Sequence, residues 1–334
     1  MLKIGEKVKA VYLNSEYEVL DVLGSGGQGE VYKVRSSSGT IKALKWYFKD
    51  VASNALYDDV NHLVLKQAPS GHTDTFAWPL DICFKKENKY TFGYLMDLID
   101  LNDYYKFREI QANPNLAPNY KKMVEVMLNI VESFSIVHLA GLCYRDISLE
   151  NIVFSPSEGT IRIFDNDNIG NNYKSKSHIL GTKPFMAPEV FKGEQTTDEA
   201  TDLYSLAIVL FQLMCWNHPY HGKKYYEPKI ISEKTTDLVY GKPVFIFDPD
   251  NKSNELIEEK NPITKVLWKS LTKDLQDLFI RSFTDGINNR SARVSPKEWR
   301  DALTEIYEGI EKCMCGEYYS TKTSDNNKCI ICNL

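Results

Sequence analysis

Glycines 24, 26 and 29 lie in Leu23-Gly24-Ser25-Gly26-Gly27-Gln28-Gly29-Glu30-Val31-Tyr32, between two runs that read as strands. Glycine lets such a turn bring backbone N–H groups against phosphate oxygens, an approach that a Cβ would block. A dinucleotide-binding unit would place a helix after its glycines; a strand follows here, which counts against that fold. Downstream, Lys45 faces inward in the alternating run Ile41-Lys42-Ala43-Leu44-Lys45-Trp46. An ammonium between apolar neighbours is costly unless an anion such as a phosphate meets it. Farther on, Tyr144-Arg145-Asp146-Ile147-Ser148-Leu149-Glu150-Asn151 follows a long helical pattern, and Ile161-Arg162-Ile163-Phe164-Asp165 follows a short hairpin. One carboxylate can accept a hydroxyl proton, while Asn151 and Asp165 offer the hard oxygen ligands that Mg2+ prefers.

These residues need elements to hold them. From Tyr17 to about Leu101, short apolar runs alternate with turn residues, as in Tyr17-Glu18-Val19-Leu20, Val31-Tyr32-Lys33-Val34 and Tyr90-Thr91-Phe92-Gly93-Tyr94-Leu95-Met96. The pattern predicts a small, mostly antiparallel sheet, with Ser36-Ser37-Ser38-Gly39 as a hairpin turn. One helical stretch interrupts it, about Ala55 to Gln67, where Leu56, Val60, Leu63 and Val64 recur at helical spacing. After Pro114 and Pro118 long helices take over. Met123, Val124, Met127, Leu128, Val131, Phe134, Val137 and His138 form one stripe, and Leu203 to Trp216 reads as a second, buried helix. The expected fold class is therefore α+β, a β-rich first third before an α-rich remainder.

The 334 residues suggest about two domains. Hydrophobic residues at 43% and charged residues at 25% exclude a mainly disordered chain, and a net charge of −5 excludes a broad basic nucleic-acid footprint. The most apolar stretch, Leu203 to Trp216, is shorter than the roughly 18 residues of a membrane span, and Met1 to Lys7 holds no signal-peptide core. The expectation is a cytoplasmic protein with neither membrane nor nucleic acid as partner.

Four of the seven cysteines crowd together at the end, as Cys313-Met314-Cys315 and Cys329-Ile330-Ile331-Cys332, around a loop with little apolar content beyond Tyr318 and Tyr319. Four thiolates in two close pairs suit a tetrahedral structural Zn2+, which leaves no open catalytic position. Free or disulfide-paired thiols are the alternative. The first pair has a one-residue spacer, so Glu317 is a further candidate contributor. His218 and His221 read as polar loop residues rather than ligands.

With Gly181-Thr182-Lys183-Pro184-Phe185-Met186-Ala187-Pro188-Glu189 added, residues 17 to about 307 resemble the eukaryotic-type (Hanks-type) Ser/Thr protein kinase superfamily. The resemblance implies a two-lobed fold with an N-lobe over 1–98, a C-lobe over 99–310 and the cysteine tail over 311–334. It makes Gly24, Gly26 and Gly29 the glycine-rich loop over ATP and Lys45 the lysine on its α- and β-phosphates. Val31, Ala43 and the backbone of Asp97 and Ile99 surround adenine, with Met96 as gatekeeper. Asp146 becomes the catalytic aspartate, and Asn151 and Asp165 the ligands of Mg2+ or Mn2+. Asp202 resembles the buried aspartate that supports the catalytic loop, and Arg293 the arginine that pairs with Glu189. The runs Phe76-Ala77-Trp78-Pro79-Leu80-Asp81, Asp165-Asn166-Asp167-Asn168 and Pro243-Val244-Phe245-Ile246-Phe247-Asp248-Pro249, with Trp299 and the tail, are similar more narrowly to bacterial kinases of tellurite-resistance-type gene clusters. That likeness implies a signalling or stress-response setting, with a von Willebrand factor A domain protein and a metal-dependent phosphatase as partners.

The chain departs from the pattern in four places. Tyr144 stands for the usual histidine, and Ser148 for a lysine whose charge would offset the γ-phosphate. Asn166-Asp167 replaces Phe-Gly, so that Asp167 is a further candidate Mg2+ ligand. The helix from Ala55 to Gln67 contains no glutamate, which leaves Asp59, ahead of Asp58 and Asn61, as the candidate partner of Lys45. Arg145 is the family's partner for a phosphorylated activation segment, with Ser175, Ser177 and Thr182 as candidate sites. The implied activity is γ-phosphoryl transfer from ATP to a Ser or Thr hydroxyl of a protein. The rivals are a small-molecule kinase of the aminoglycoside type and a nucleotide-binding pseudokinase scaffold, the latter motivated by the absent glutamate.

Overall fold

Strict alternation in the first hundred residues builds a sheet with two different faces. The computed structural model describes all residues except 70, 86–87, 173–179, 229–232, 324–328, 330–331 and 333–334. Contacts group them into two units, Met1–Asn102 with Arg162–Gly170, and Asp103–Ile161 with Asn171–Leu334.

In the first unit, β1 (Lys7–Ala10), β2 (Glu16–Ser25), β3 (Gly29–Ser36), β4 (Ile41–Tyr47), β5 (Asp81–Lys85) and β6 (Asn88–Met96) form a closed barrel in the order β1-β2-β3-β4-β6-β5. The sheet expected from Tyr17 onward thus gains a strand that periodicity misses, because four residues are too few to show a period. That strand, β1, pairs antiparallel with both β2 and β5 and so closes the barrel. Val8, Tyr17, Val19, Tyr32, Val34, Leu44, Trp46 and Leu95 fill its interior. The opposite parity of β4 presents Ala43, Lys45 and Tyr47 to the other face. Ala43 and Tyr47 join the cluster there with Val60 and Val64 of α1 (Asn54–Lys66). That helix begins at Ser53, whose side chain accepts from Leu56 N, and ends after Lys66, close to the expected bounds.

The second unit is mainly helical. Its helix Tyr120–Leu139 buries Val124, Met127, Val131, Phe134 and Val137 from the expected stripe, and Glu199–Cys215 is buried along nearly its whole length. The apolar run Val244 to Phe247 forms no strand. Phe245 and Phe247 enter an aromatic cluster with Phe211 and Trp268, the Phe247 and Trp268 rings stacked 4.6 Å apart. No helix among the described residues is long and apolar enough to cross a membrane.

His218 lies deep in this unit. Its Nε2 is 2.8 Å from the Pro184 carbonyl, and its Nδ1 accepts the Tyr220 N–H at 3.2 Å. The ring is therefore held neutral with its proton on Nε2. Burial pushes its pKa down to about 4, against the Pro184 carbonyl, which favours the charged form. The unfolded chain, with an ordinary histidine near 6.5, binds the proton first as pH falls. Stability due to this group is thus present above about pH 6.5 and is lost progressively down to about pH 4, a loss of about 3 kcal/mol. Chemical denaturation between pH 7 and 4 should show this slope in the wild type and a flatter one in His218→Gln; parallel curves would refute the assignment.

Candidate active site

Within the first unit, Lys45 is 5% exposed and its ammonium is fully coordinated. It donates to both oxygens of Asp167 at 2.9 Å, to Asp165 Oδ1 at 3.0 Å and to Gln28 Oε1 at 3.2 Å. Asp167, 2% exposed, also accepts from Tyr47 OH at 2.6 Å and Tyr94 OH at 3.0 Å. Each of its oxygens therefore lies within hydrogen-bond distance of the ammonium and of one phenol. Burial would push the Asp167 carboxyl up, but the Lys45 charge and the converging donors outweigh it and hold it below the usual carboxylate range. Burial likewise works against the Lys45 charge, and the two carboxylates hold its pKa above the ordinary value.

Two expectations are corrected here. The carboxylate that meets Lys45 is not that of Asp59 on α1 but that of Asp167. An aspartate on the helix is one methylene shorter than the usual glutamate, and the three donors of Lys45 are already taken up by Asp167, Asp165 and Gln28. Nor is Asp167 poised as a Mg2+ ligand, since protein donors occupy both of its oxygens. Asp165 differs: its side chain is 49% exposed and binds Lys45 through one oxygen.

The segment that carries both aspartates is anchored to its own unit by a short ladder. Ile163 N donates to Thr75 O at 2.8 Å and Ala77 N to Ile163 O at 2.9 Å, around a parallel bridge between Phe76 and Ile163. Asp165 then takes a left-handed conformation, φ +53°, which an aspartate tolerates better than most residues and which opens the turn Asn166–Asn168. Asn166, fully buried, donates back to Ile163 O at 2.9 Å. A polar residue holds this position by bonding its own backbone where an aromatic ring would rely on packing.

The expected nucleotide residues fall on one face. Val31, Ala43, Met96 and Ile99 belong to the same apolar cluster as Phe164, and the exposed Asp97 side chain pairs with Lys42. Gly24 and Gly26 face open space, whereas a Cβ on Gly29 would lie 2.2 Å from the Trp46 carbonyl oxygen. Gly29 is thus required by the contact between β3 and β4 and not by a ligand alone.

In the second unit, Asp146 Oδ1 accepts from the Thr182 N–H at 2.7 Å and the Thr182 hydroxyl at 2.8 Å. Asn151 Nδ2 donates to Asp146 Oδ2 and to its carbonyl, both at 3.0 Å. The amide nitrogen of Asn151 is spent in this way, and the other polar atom of its side chain is the amide oxygen, a hard donor. Thr182 is the site residue whose role the sequence did not suggest. It was a phosphorylation candidate, and its hydroxyl is engaged on Asp146; Ser175 and Ser177 lie outside the described residues. Gly181, at φ +85°, makes the approach possible, because a Cβ there would be strained and 3.1 Å from Arg145 O. Beyond it, Ser205 Oγ and His218 Nε2 tie down the carbonyls of Phe185 and Pro184 at 2.8 Å each.

Asp202 supports the loop that carries Asp146, accepting from Tyr144 N at 2.6 Å and Arg145 N at 2.8 Å, with His138 Nε2 at 3.1 Å. Arg145 sits at φ +73° there, an uncommon backbone state for a side chain of its size. Arg293 Nη2 donates to Glu189 Oε2 at 2.8 Å, the pair expected from the motifs. Ser148 is fully buried, with its hydroxyl unpartnered among the described residues, and supplies no charge.

At the end of the chain, Ile310–Lys312 and Tyr318–Ser320 form an antiparallel hairpin. The Cys313, Cys315, Cys329 and Cys332 sulfurs gather within 4.8 Å of one another. Two of the separations are 3.3 and 3.8 Å, against an edge of about 3.8 Å for a tetrahedron with Zn–S bonds of about 2.3 Å. Cys313 N donates to Glu317 O at 2.7 Å, so Glu317 shapes the knuckle through its backbone.

Comparison with known proteins agrees with this arrangement. The protein kinase domain family matches residues 17–292, and the chain belongs to that family. It is 26% identical over 236 residues to NUAK family SNF1-like kinase 2 of Rattus norvegicus, covering 69% of this chain and 35% of that one. It is 27% identical over 239 residues to serine/threonine-protein kinase AtPK2/AtPK19 of Arabidopsis thaliana, covering 70% and 48%. It is 24% identical over 232 residues to serine/threonine-protein kinase PknB of Mycobacterium tuberculosis, covering 63% and 34%. The chain thus spans less than half the length of these relatives. The autoinhibited serine kinase domain of titin shares the fold, with a TM-score of 0.64 at 16% identity over 93% of this chain and 84% of that one.

Substitution at the two kinds of glycine separates packing from ligand binding. Gly29→Ala should destabilise the protein by at least about 2 kcal/mol, because backbone must move to admit the methyl group. Gly26→Ala should melt within a degree or two of wild type. Equal melting temperatures for the two variants would overturn the assignment of Gly29 to strand packing.

Proposed function

We propose that the chain is a protein kinase that moves the γ-phosphate of ATP to a Ser or Thr hydroxyl of a protein, with Mg2+ or Mn2+ as the metal. The observation that carries the reading is the Asp146 carboxylate, aimed by Asn151 on one oxygen and by Thr182 on the other. A base held in this way accepts the proton of the attacking hydroxyl as its oxygen bonds to the γ-phosphorus and the bond to the β-phosphate oxygen breaks, releasing ADP. Lys45 serves the α- and β-phosphates, which take the place of Gln28 and Asp165 on its ammonium while Asp167 keeps its grip, and Gly24, Gly26 and Gly29 form the loop over them. Val31, Ala43, Asp97 and Ile99 serve adenine. Asn151 and the half-exposed Asp165 are the residues suited to the metal, which when bound neutralises charge on the phosphate oxygens.

Ser148 adds no positive charge, so the turnover expected is below that of kinases with a lysine there. The four tail cysteines hold a structural Zn2+ in this reading. Reliance on reduced thiols favours the cytoplasm. The narrower likeness suggests a von Willebrand factor A domain protein and a metal-dependent phosphatase as partners, the latter able to remove the phosphate again.

Incubation with labelled ATP and Mg2+ tests the reaction. Wild type should label itself or a generic protein substrate, and Asp146→Ala should lower the rate by about 10² to 10⁴. Equal labelling by both proteins would remove the catalytic claim. Zinc is tested separately by elemental analysis of purified protein: about one equivalent is expected, and less than half an equivalent would refute the site.

A further inference from the structure

Within the reading of the chain as a kinase, we propose that Asp167 takes over the work usually given to a helix-borne glutamate, so that the lysine on the nucleotide phosphates is set in place by the residue pair Asp165 and Asp167. Lys45 must be held at a fixed height above its strand to meet a phosphate, and its side chain has four rotatable bonds to be fixed. The structure fixes it with a two-oxygen grip from Asp167 at 2.9 Å. That grip is itself oriented by two phenols on neighbouring strands, Tyr47 of β4 and Tyr94 of β6. The hydroxyls matter because each donates to a different oxygen of the carboxylate and so holds it facing the ammonium.

The source of the carboxylate has a functional consequence. Asp167 sits two residues after Asp165, in the turn Asn166–Asn168, and that turn is hung on Thr75 and Ala77 by the Ile163 ladder. One short segment therefore places both the metal-facing Asp165 and the partner of Lys45. The side chains of α1 contribute packing, through Val60, Leu63 and Val64, and the described partners of the lysine ammonium are Asp167, Asp165 and Gln28. The carboxylate that grips Lys45 is accordingly carried by this turn, where a helix-borne glutamate would be carried by the small helix. Asp167 acts through Lys45 and is a positioning residue.

A double-mutant cycle on the full chain tests this. Transfer rate at saturating ATP, the KM for ATP and the Kd of a fluorescent ATP analogue are measured for Asp167→Asn, Lys45→Met and the pair. If Asp167 works only through Lys45, Asp167→Asn lowers kcat at least tenfold in the wild-type background and changes neither kcat nor Kd further when Lys45 is already Met. Multiplicative losses would overturn the inference, as would a rise in the Mg2+ concentration needed for half-maximal rate, which would mark Asp167 as a metal ligand. Asp167→Glu should restore part of the lost rate. Tyr47→Phe combined with Tyr94→Phe keeps both charges, so it guards against a folding defect in Asp167→Asn; it should raise KM severalfold at unchanged Mg2+ dependence, and wild-type kinetics would count against the proposal. Asp59→Asn is the rival: loss of transfer there, with Asp167→Asn active, would return the role to the helix. Inactive wild-type protein would instead refute the kinase reading itself, and nucleotide affinity in the cycle would still report the Lys45–Asp167 coupling.

Discussion

A lysine ammonium and an aspartate carboxylate, each almost wholly removed from water, face one another at 2.9 Å in the first unit. Burying either charge alone is prohibitive, and burying both is tolerable only when every donor and acceptor is used. That requirement explains a series of otherwise separate features. The parity of β4 must turn Lys45 and Tyr47 to the same face; Tyr94 must stand opposite on β6; and Gln28 must reach in from the glycine-rich turn. Residues 162–170 must be fixed to the barrel, which the Ile163 ladder achieves. Removing one partner of such a pair leaves an uncompensated charge, at a cost of about 3–5 kcal/mol. The pair is thus a device of specificity more than of stability. It admits one arrangement of the strands and the turn, and that arrangement leaves Asp165 half exposed.

The second unit solves a similar problem with a neutralising network in place of an ion pair. Asp202 is buried, and it satisfies two backbone N–H groups at the start of the loop that carries Asp146. One of those groups belongs to a residue in an uncommon backbone state, Arg145 at φ +73°. The loop would relax if its hydrogen bonds were lost. Asn151 and Thr182 then fix the Asp146 carboxylate at its two oxygens. In both units a charged group is held by partners that leave it no alternative rotamer, which is the preorganisation that phosphoryl transfer demands when little covalent chemistry is available.

Residues whose role follows from type and local period were legible in the sequence. Lys45 stood out because alternation turned a cation inward, and the tail cysteines because four thiols in so short a segment suit few other roles. The pair of Glu189 with Arg293 and the support from Asp202 followed from motif positions. Partnerships set by tertiary approach were not legible. Asp59 was favoured for Lys45 because helix geometry makes i and i+4 neighbours visible in sequence, whereas Asp167 reaches Lys45 across 122 residues. Its phenolic donors lie on strands where tyrosine is common for reasons of packing alone. Thr182 was read as a modification site because a loop hydroxyl shows no burial in sequence, and its contact with Asp146 depends on the positive φ of Gly181. The strand β1 escaped notice because its four residues are too few to show a period.

The cysteine tail shows how a segment too small for a core is stabilised from two sides. Its hairpin continues from the helix Pro296–Glu308, and Ser320 Oγ returns to the Ile306 carbonyl at 2.8 Å while Thr321 N reaches Gly309 O at 2.9 Å. Ser320 and Tyr319 are buried, so one edge of the hairpin shares the apolar interior of the second unit. Beyond that edge, Cys315 and Cys332 are both exposed. Four thiols brought this close repel as thiolates unless a cation balances them, so the packed edge and the metal edge are complementary. Packing fixes where the hairpin begins, and a metal on the four thiols would fix where its loops end. Loss of a metal from such an arrangement would free the knuckles first and leave the hairpin bound to the helical layer, because the hydrogen bonds of Ser320 to Ile306 and of Thr321 to Gly309 do not pass through the sulfurs.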